Sequence, residues 1–238
     1  MNSTSRIRSA VRWAAAGSGL AAVAYATYVG VTWFRYGHPA HAEEQDALLD
    51  RFMPAYEVAE RHHVRIAAPA AVTLAAARDM NLLQSPISRA IFKARELILR
   101  ATPDEWRPNG LLAEVQSLGW GVLAEVPGRE IVVGAVTKPW EANVAFRALP
   151  PTEFAAFHEP DYVKIVWTLR ADPIGPADSV FRTETRVTST DTRARAKFRR
   201  YWSFLSPGII VIRWMSLGPL KRDAERRARE QRSETATR

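Results

Sequence analysis

The chain has 238 residues, no cysteine and a formal charge of +8 at pH 7. The absence of cysteine excludes disulfides and thiolate metal ligands, while a cysteine-free chain suits either side of a membrane. The excess charge sits at the ends: Arg6, Arg8 and Arg12 supply three and the tail from Lys221 to Arg238 a net three, which leaves +2 for the body and argues against the concentrated basic face of a nucleic-acid binder.

From Trp13 to Phe34 no side chain is charged, a run of 22 residues. At about 1.5 Å per residue a helix of this length spans roughly 33 Å, enough to cross a hydrocarbon core of about 30 Å. Alanines dominate the run, so its fitness for lipid rests on the absence of charge as much as on bulky apolar groups. Trp13 at one end and Trp33, Phe34 and Tyr36 at the other fall where aromatic rings favour the headgroup boundary. Arg6, Arg8 and Arg12 precede the run, whereas Glu43, Glu44, Asp46 and Asp50 outnumber Arg35 and Arg51 after it. The expected topology is a single pass with a cytoplasmic N-terminus and an extracytoplasmic domain. Ala40-His41-Ala42 also has the form of a signal-peptide cleavage site, and that alternative likewise exports the domain. Ser18, Ala22, Ala26 and Gly30 form a stripe of small residues along which a second copy of the helix fits, although an alanine-rich helix yields such stripes by chance.

The segmentation that follows is a basic N-terminus over residues 1–12, a transmembrane helix over 13–34, a linker over 35–54, one domain over 55–230 and a disordered tail over 231–238. A domain of this length buries enough core to fold alone. Tyr56 to Ile66 alternates as a strand, with Tyr56, Val58, Val64 and Ile66 on one side and Glu57, Arg61 and Arg65 on the other. A helix enters at Pro69 and runs to about Asp79. A second, capped by Ser85 before Pro86, is expected to reach Arg100. Trp120–Val126 and Glu130–Thr137 flank Pro127-Gly128 as a β-hairpin, with a further strand around Asn143–Ala148. A short helix over Thr152–Phe157 precedes a second hairpin, Tyr162–Arg170 and Ser179–Ser189. Asp191 caps a helix through Leu205, Pro207-Gly208 breaks it, and another helix runs from Ile209 into the basic tail. Strands cluster between helices, so the class is α+β with an antiparallel sheet.

No nucleophile elbow, phosphate loop or dinucleotide fingerprint occurs, and no cofactor is expected. Among the five histidines, His62 and His63 are adjacent, but neighbours on a strand point to opposite faces, so no metal site is expected there. Glu130 reads as a turn carboxylate beside Arg129.

The element order, together with His63-Val64-Arg65-Ile66-Ala67-Ala68-Pro69 and with Phe181-Arg182-Thr183-Glu184-Thr185-Arg186-Val187 followed by Phe198-Arg199-Arg200-Tyr201-Trp202, resembles the START-like or SRPBCC superfamily. The resemblance covers about Tyr56 to Ala228. It implies a helix-grip fold, a curved antiparallel sheet around a long C-terminal helix with a hydrophobic cavity between them, here preceded by a transmembrane helix that small soluble members lack. Members include lipid carriers, polyketide cyclases and aromatic-ring oxygenase domains, so the fold does not choose a function. A hydrophobic small molecule or lipid is the expected ligand. A cyclase- or hydratase-type enzyme and a membrane-tethered interaction domain are the alternatives. Trp167, Tyr201 and Trp202 are the expected cavity aromatics. Glu184 and Arg186 share one strand face and are the expected polar contacts if that face lines the cavity; otherwise they pair internally while Phe181, Thr183, Thr185 and Val187 pack inward.

Overall fold

A computed structural model of the chain describes residues 3–39, 45–81, 89–91, 93, 97 and 110–236. Helix α1 runs Ser3–Arg35, a short α2 Ala47–Asp50, strand β1 Val58–Ile66, α3 Ala70–Asp79 and α4 Leu111–Ser117. Strands β2 (Gly121–Val126), β3 (Glu130–Thr137) and β4 (Phe146–Arg147) follow, then α5 (Pro151–Ala156), β5 (Val163–Gly175), β6 (Asp178–Ser189) and α6 (Thr192–Ala236). The fold is α+β, an antiparallel sheet with a long C-terminal helix, as expected. Ala40-His41-Ala42 lies outside the described residues. Of the helix expected from Ser85 to Arg100, Arg89, Ala90, Ile91, Lys93 and Leu97 are described, and they are helical.

The strands pair in the order β1-β6-β5-β3-β2, with β4 beside β3. β3 is buried along its whole length, because it lies inside the sheet with layers on both faces. Its residues divide by parity. Ile131 and Val133 join Trp167, Leu169 and Phe181 beneath α3, α4 and α6, whereas Val132 and Val136 join Leu49, Met53 and Phe154 beneath α2 and α5. Gly128 makes the β2–β3 turn at φ +69°, a left-handed conformation that glycine adopts without strain.

Several elements differ from expectation. The linker contains α2, capped by Asp46, whose Oδ1 accepts from the Leu48 and Leu49 amides at 3.1 and 3.0 Å. α4 was not anticipated, and β4 shrinks to two residues. Pro207-Gly208 does not break the C-terminal helix, which continues through Pro207 and Pro219 to Ala236, in place of the tail expected from residue 231. A proline inside a helix costs about 3 kcal/mol. Burial on both sides of Pro207, by Ala194, Phe198 and Trp202 before it and Ile212, Leu220, Ala224 and Ala228 after it, outweighs that penalty.

α1 contains the whole uncharged run. Its residues from Gly17 to Thr27 are exposed, and it joins the body near its C-terminal end, where Tyr36 just beyond it is buried with Val58, Val187, Phe198 and Trp202. By length and hydropathy, the described helix apolar enough to cross a membrane is α6, over Thr192–Thr235, with a mean hydropathy of 1.2 in its most apolar window. Core helices of soluble proteins pass the same test, but only 28% of that window is buried.

Candidate functional site

Strand parity assembles a polar patch in the layer between sheet and α6. In β1, Val58, Glu60, His62, Val64 and Ile66 share a face, and Val58 and Ile66 are buried in the helix-side core. Glu60 lies opposite Thr185 and His62 opposite Thr183, with Thr185 in turn opposite Trp167. Directly opposed residues of an antiparallel pair stand about 5 Å apart at Cβ, so these five side chains adjoin. α6 covers them and contributes Arg213, whose charge acts on both Glu60 and His62.

Three atoms of this patch are buried without a hydrogen-bond partner among the described residues: His62 Nε2, Thr185 Oγ1 and Arg213 Nη1. Leaving a buried polar group unpaired costs about 1–3 kcal/mol each, so three in one place concentrate an unmet hydrogen-bonding demand there. Burial raises the Glu60 pKa, and Arg213 and then Arg61 oppose the rise. Burial also lowers the pKa of His62, with Arg213 and His63 adding to the effect. Both shifts act toward the uncharged forms, of the Glu60 carboxyl and of the His62 imidazole. Among the described residues no three His, Asp or Glu side chains converge as metal ligands would.

The aromatic residues expected at the cavity lie on this side of the sheet. Trp167 is buried at the patch and meets Trp120 edge-on, centroids 6.3 Å apart. Tyr201 and Trp202 sit further toward the start of α6, where both stack on Phe198, at 5.8 and 5.9 Å.

Glu184 and Arg186 lie on the other face. Arg186 is 2% exposed. Its Nε donates to Glu184 Oε1 at 2.7 Å, and its Nη1 donates to Asp50 Oδ1 at 2.5 Å and to the Met53 carbonyl at 2.9 Å. Arg61 Nη2 donates to the same Glu184 oxygen at 2.8 Å, and the Arg186 guanidinium lies 4.6 Å from the Tyr56 ring centroid. The sheet therefore divides the anticipated ligand set: Glu184 and Arg186 close on each other under the α2 segment, away from Trp167, Tyr201 and Trp202. Phe181, Thr183, Thr185 and Val187 point to the helices, the internally paired arrangement.

The same charged face continues to Glu130, which is not a turn carboxylate. It is 5% exposed, pairs across to Arg170, and lines an open cleft of about 320 Å³ with Asp46, Arg51, Arg129 and Arg170. Burial, reinforced by the neighbouring Asp46, pushes its pKa up to about 8.

Glu60, His62 and Arg213 were missed. Parity was the available signal for the first two, since Glu60 and His62 fall in register with Val58 and Val64. Arg213 is the sole charged residue between Tyr201 and Leu220.

No family model matches the sequence, and no curated protein matches it. Solved structures similar to it include two proteins. One is the hypothetical protein jhp0584 from Helicobacter pylori, at 8% identity over 78% of this chain and 97% of that chain, with a TM-score of 0.38. The other is the Zhui aromatase/cyclase from Streptomyces sp. R1128, at 14% identity over 69% and 94%, with a TM-score of 0.22. At these scores the likeness fixes neither a fold family nor an activity.

Proposed function

We propose that the protein is a membrane-anchored binding module of helix-grip type, holding an amphipathic small molecule or lipid between the sheet and α6. The observation that carries this reading is the set of buried, unpartnered polar atoms on His62, Thr185 and Arg213. A ligand whose apolar body lies against Trp167 and its apolar neighbours, with an acceptor-rich polar end at Arg213 and His62, satisfies all three. The anchor is α1, whose uncharged run stands exposed from Gly17 to Thr27. The basic residues before the run support a topology with the N-terminus in the cytoplasm and the domain across the membrane.

Native mass spectrometry of the protein extracted in mild detergent tests this. The expected spectrum shows a bound small molecule or lipid. A chain that is uniformly bare across several detergents contradicts the reading.

Glu60 beside His62 favours a second reading, a cyclase- or hydratase-type enzyme in which the carboxyl and the imidazole serve as acid and base. On this reading the wild-type protein converts the copurified compound on incubation, whereas Glu60→Gln and His62→Asn hold it unchanged. Equal persistence in all three excludes catalysis.

A further inference from the structure

We propose that the outward face of α6, around Phe204, Val211 and Trp214, lies in the bilayer that α1 enters, so that the domain rests on the membrane along its C-terminal helix. This rests on the reading of α1 as a membrane anchor and adds a second, separate contact.

The two helices are fastened together at known levels. Arg199 Nε donates to the Trp33 carbonyl at 2.9 Å, and its guanidinium lies 4.2 Å from the Trp33 ring centroid. Deeper along α1, Tyr28 Oη and Ser206 Oγ are 2.9 Å apart, and Tyr25 Oη donates to the Phe204 carbonyl at 2.8 Å. The pairing is antiparallel overall, because Tyr25 and Tyr28 meet residues 204 and 206 whereas Trp33 meets Arg199. If Trp33 marks the headgroup boundary, Tyr25 lies eight residues further in, about 12 Å along the helix. Phe204 is held at that depth. α6 therefore cannot stay in water while α1 crosses the bilayer.

The composition of α6 fits this placement. From Tyr201 to Leu220 the single charge is Arg213, with Arg199-Arg200 before the run and Lys221-Arg222 after it, where cations meet lipid headgroups. Arg213 turns inward, its Nη1 buried beneath the helix. The outward side chains are apolar and bare: Phe204 is 47% exposed, Val211 39% and Trp214 68%. Trp202, Ile212 and Leu220 are buried on the opposite side of α6, so the helix stays fastened to the body and presents only its outer face to lipid, without spanning the bilayer. α6 is also the roof over Glu60, His62 and Arg213. Its contact with lipid gives an amphipathic ligand a path between bilayer and pocket that avoids water.

The chain has no cysteine, so single cysteine variants carry one spin label each. The full-length protein is reconstituted in vesicles of phosphatidylcholine and phosphatidylglycerol in equal parts, labelled at Val211→Cys, Trp214→Cys, Leu20→Cys in α1, or Ile174→Cys on the distant β5–β6 hairpin. Labels at 211 and 214 are expected to collide with oxygen several-fold more, relative to a water-soluble nickel chelate, than the label at 174. Nickel access at 211 and 214 with a lipid-like label at 20 overturns the inference and leaves the anchor standing. A water-exposed label at 20 removes the anchor as well. Spin–spin broadening at 211 and 214 assigns the face to a second copy of the chain and also overturns it.

Discussion

Arg186 and Arg213 are both guanidinium groups turned into the protein, and their partners separate their roles. Arg186 meets a carboxylate on either side and a main-chain carbonyl, so its charge is answered within the fold. Arg213 has a buried donor, Nη1, with no partner among the described residues. Arg186→Met is expected to leave Glu184 with Arg61 alone and to free the half-exposed Asp50, at a cost of about 3 kcal/mol, the low end of the penalty for removing one partner of a buried ion pair. Thermal unfolding should show the loss while bound ligand persists. Glu130 offers a pH signature on the same face. The folded protein holds this proton up to about pH 8, whereas an unfolded glutamate releases it near 4.5. The folded state therefore binds more protons between those values, and stability falls as pH rises through that interval. Glu130→Gln removes the dependence, so the variant should gain in Tm over wild type between about pH 5 and pH 8; one pKa unit corresponds to about 1.4 kcal/mol. Parallel Tm curves for the two proteins across that range contradict the assignment.

At the level of elements, α6 carries the largest departure from the sequence-based expectation. Its start was legible, because Asp191 has the chemistry of an N-cap, and its Oδ1 accepts from the Ala194 amide at 2.7 Å. Its Oδ2 also holds the Asp161 amide, which ties the helix to the preceding loop. Asp191→Ala is expected to cost about 1 kcal/mol, seen as a Tm lower by roughly 2–4 °C in a protein of this size; an unchanged Tm refutes the cap. The helix beyond Pro207 was not legible, because a local rule names proline as a breaker, and burial of Ile212, Leu220 and Ala224 against distant strands overrides it. The β5–β6 hairpin was read to within a few residues, since alternation and turn residues act locally. The helix-side polar patch was half legible. Trp167 beside it declares itself as a large aromatic, whereas Glu184 and Arg186, expected as polar contacts if their face lined a cavity, share a face with Arg61 on the far side of the sheet. Glu60 and His62 carried the right parity, since they fall in register with Val58 and Val64 on the helix side.

For the whole molecule, the attachment of α1 matters most. Tyr36 is buried among Val58, Phe198 and Trp202, and its hydroxyl donates to Glu57 at 2.5 Å, so helix and domain meet through packed contacts at the start of the linker segment. Burial followed by that hydrogen bond raises the Tyr36 pKa well above its ordinary value and keeps the hydroxyl protonated. Topology is testable on intact cells: with Ile174→Cys, a membrane-impermeant maleimide should react before lysis if the domain faces outward, and protection until lysis reverses the orientation. The central claim concerns what sits under α6. Native mass spectra of Arg213→Met and Arg186→Met, compared with wild type, test it most directly. The predicted result is a ligand mass on wild type and on the destabilised Arg186→Met, and its loss from Arg213→Met at unimpaired stability. Retention on Arg213→Met together with loss from Arg186→Met would contradict the account and return the site to the opposite face of the sheet.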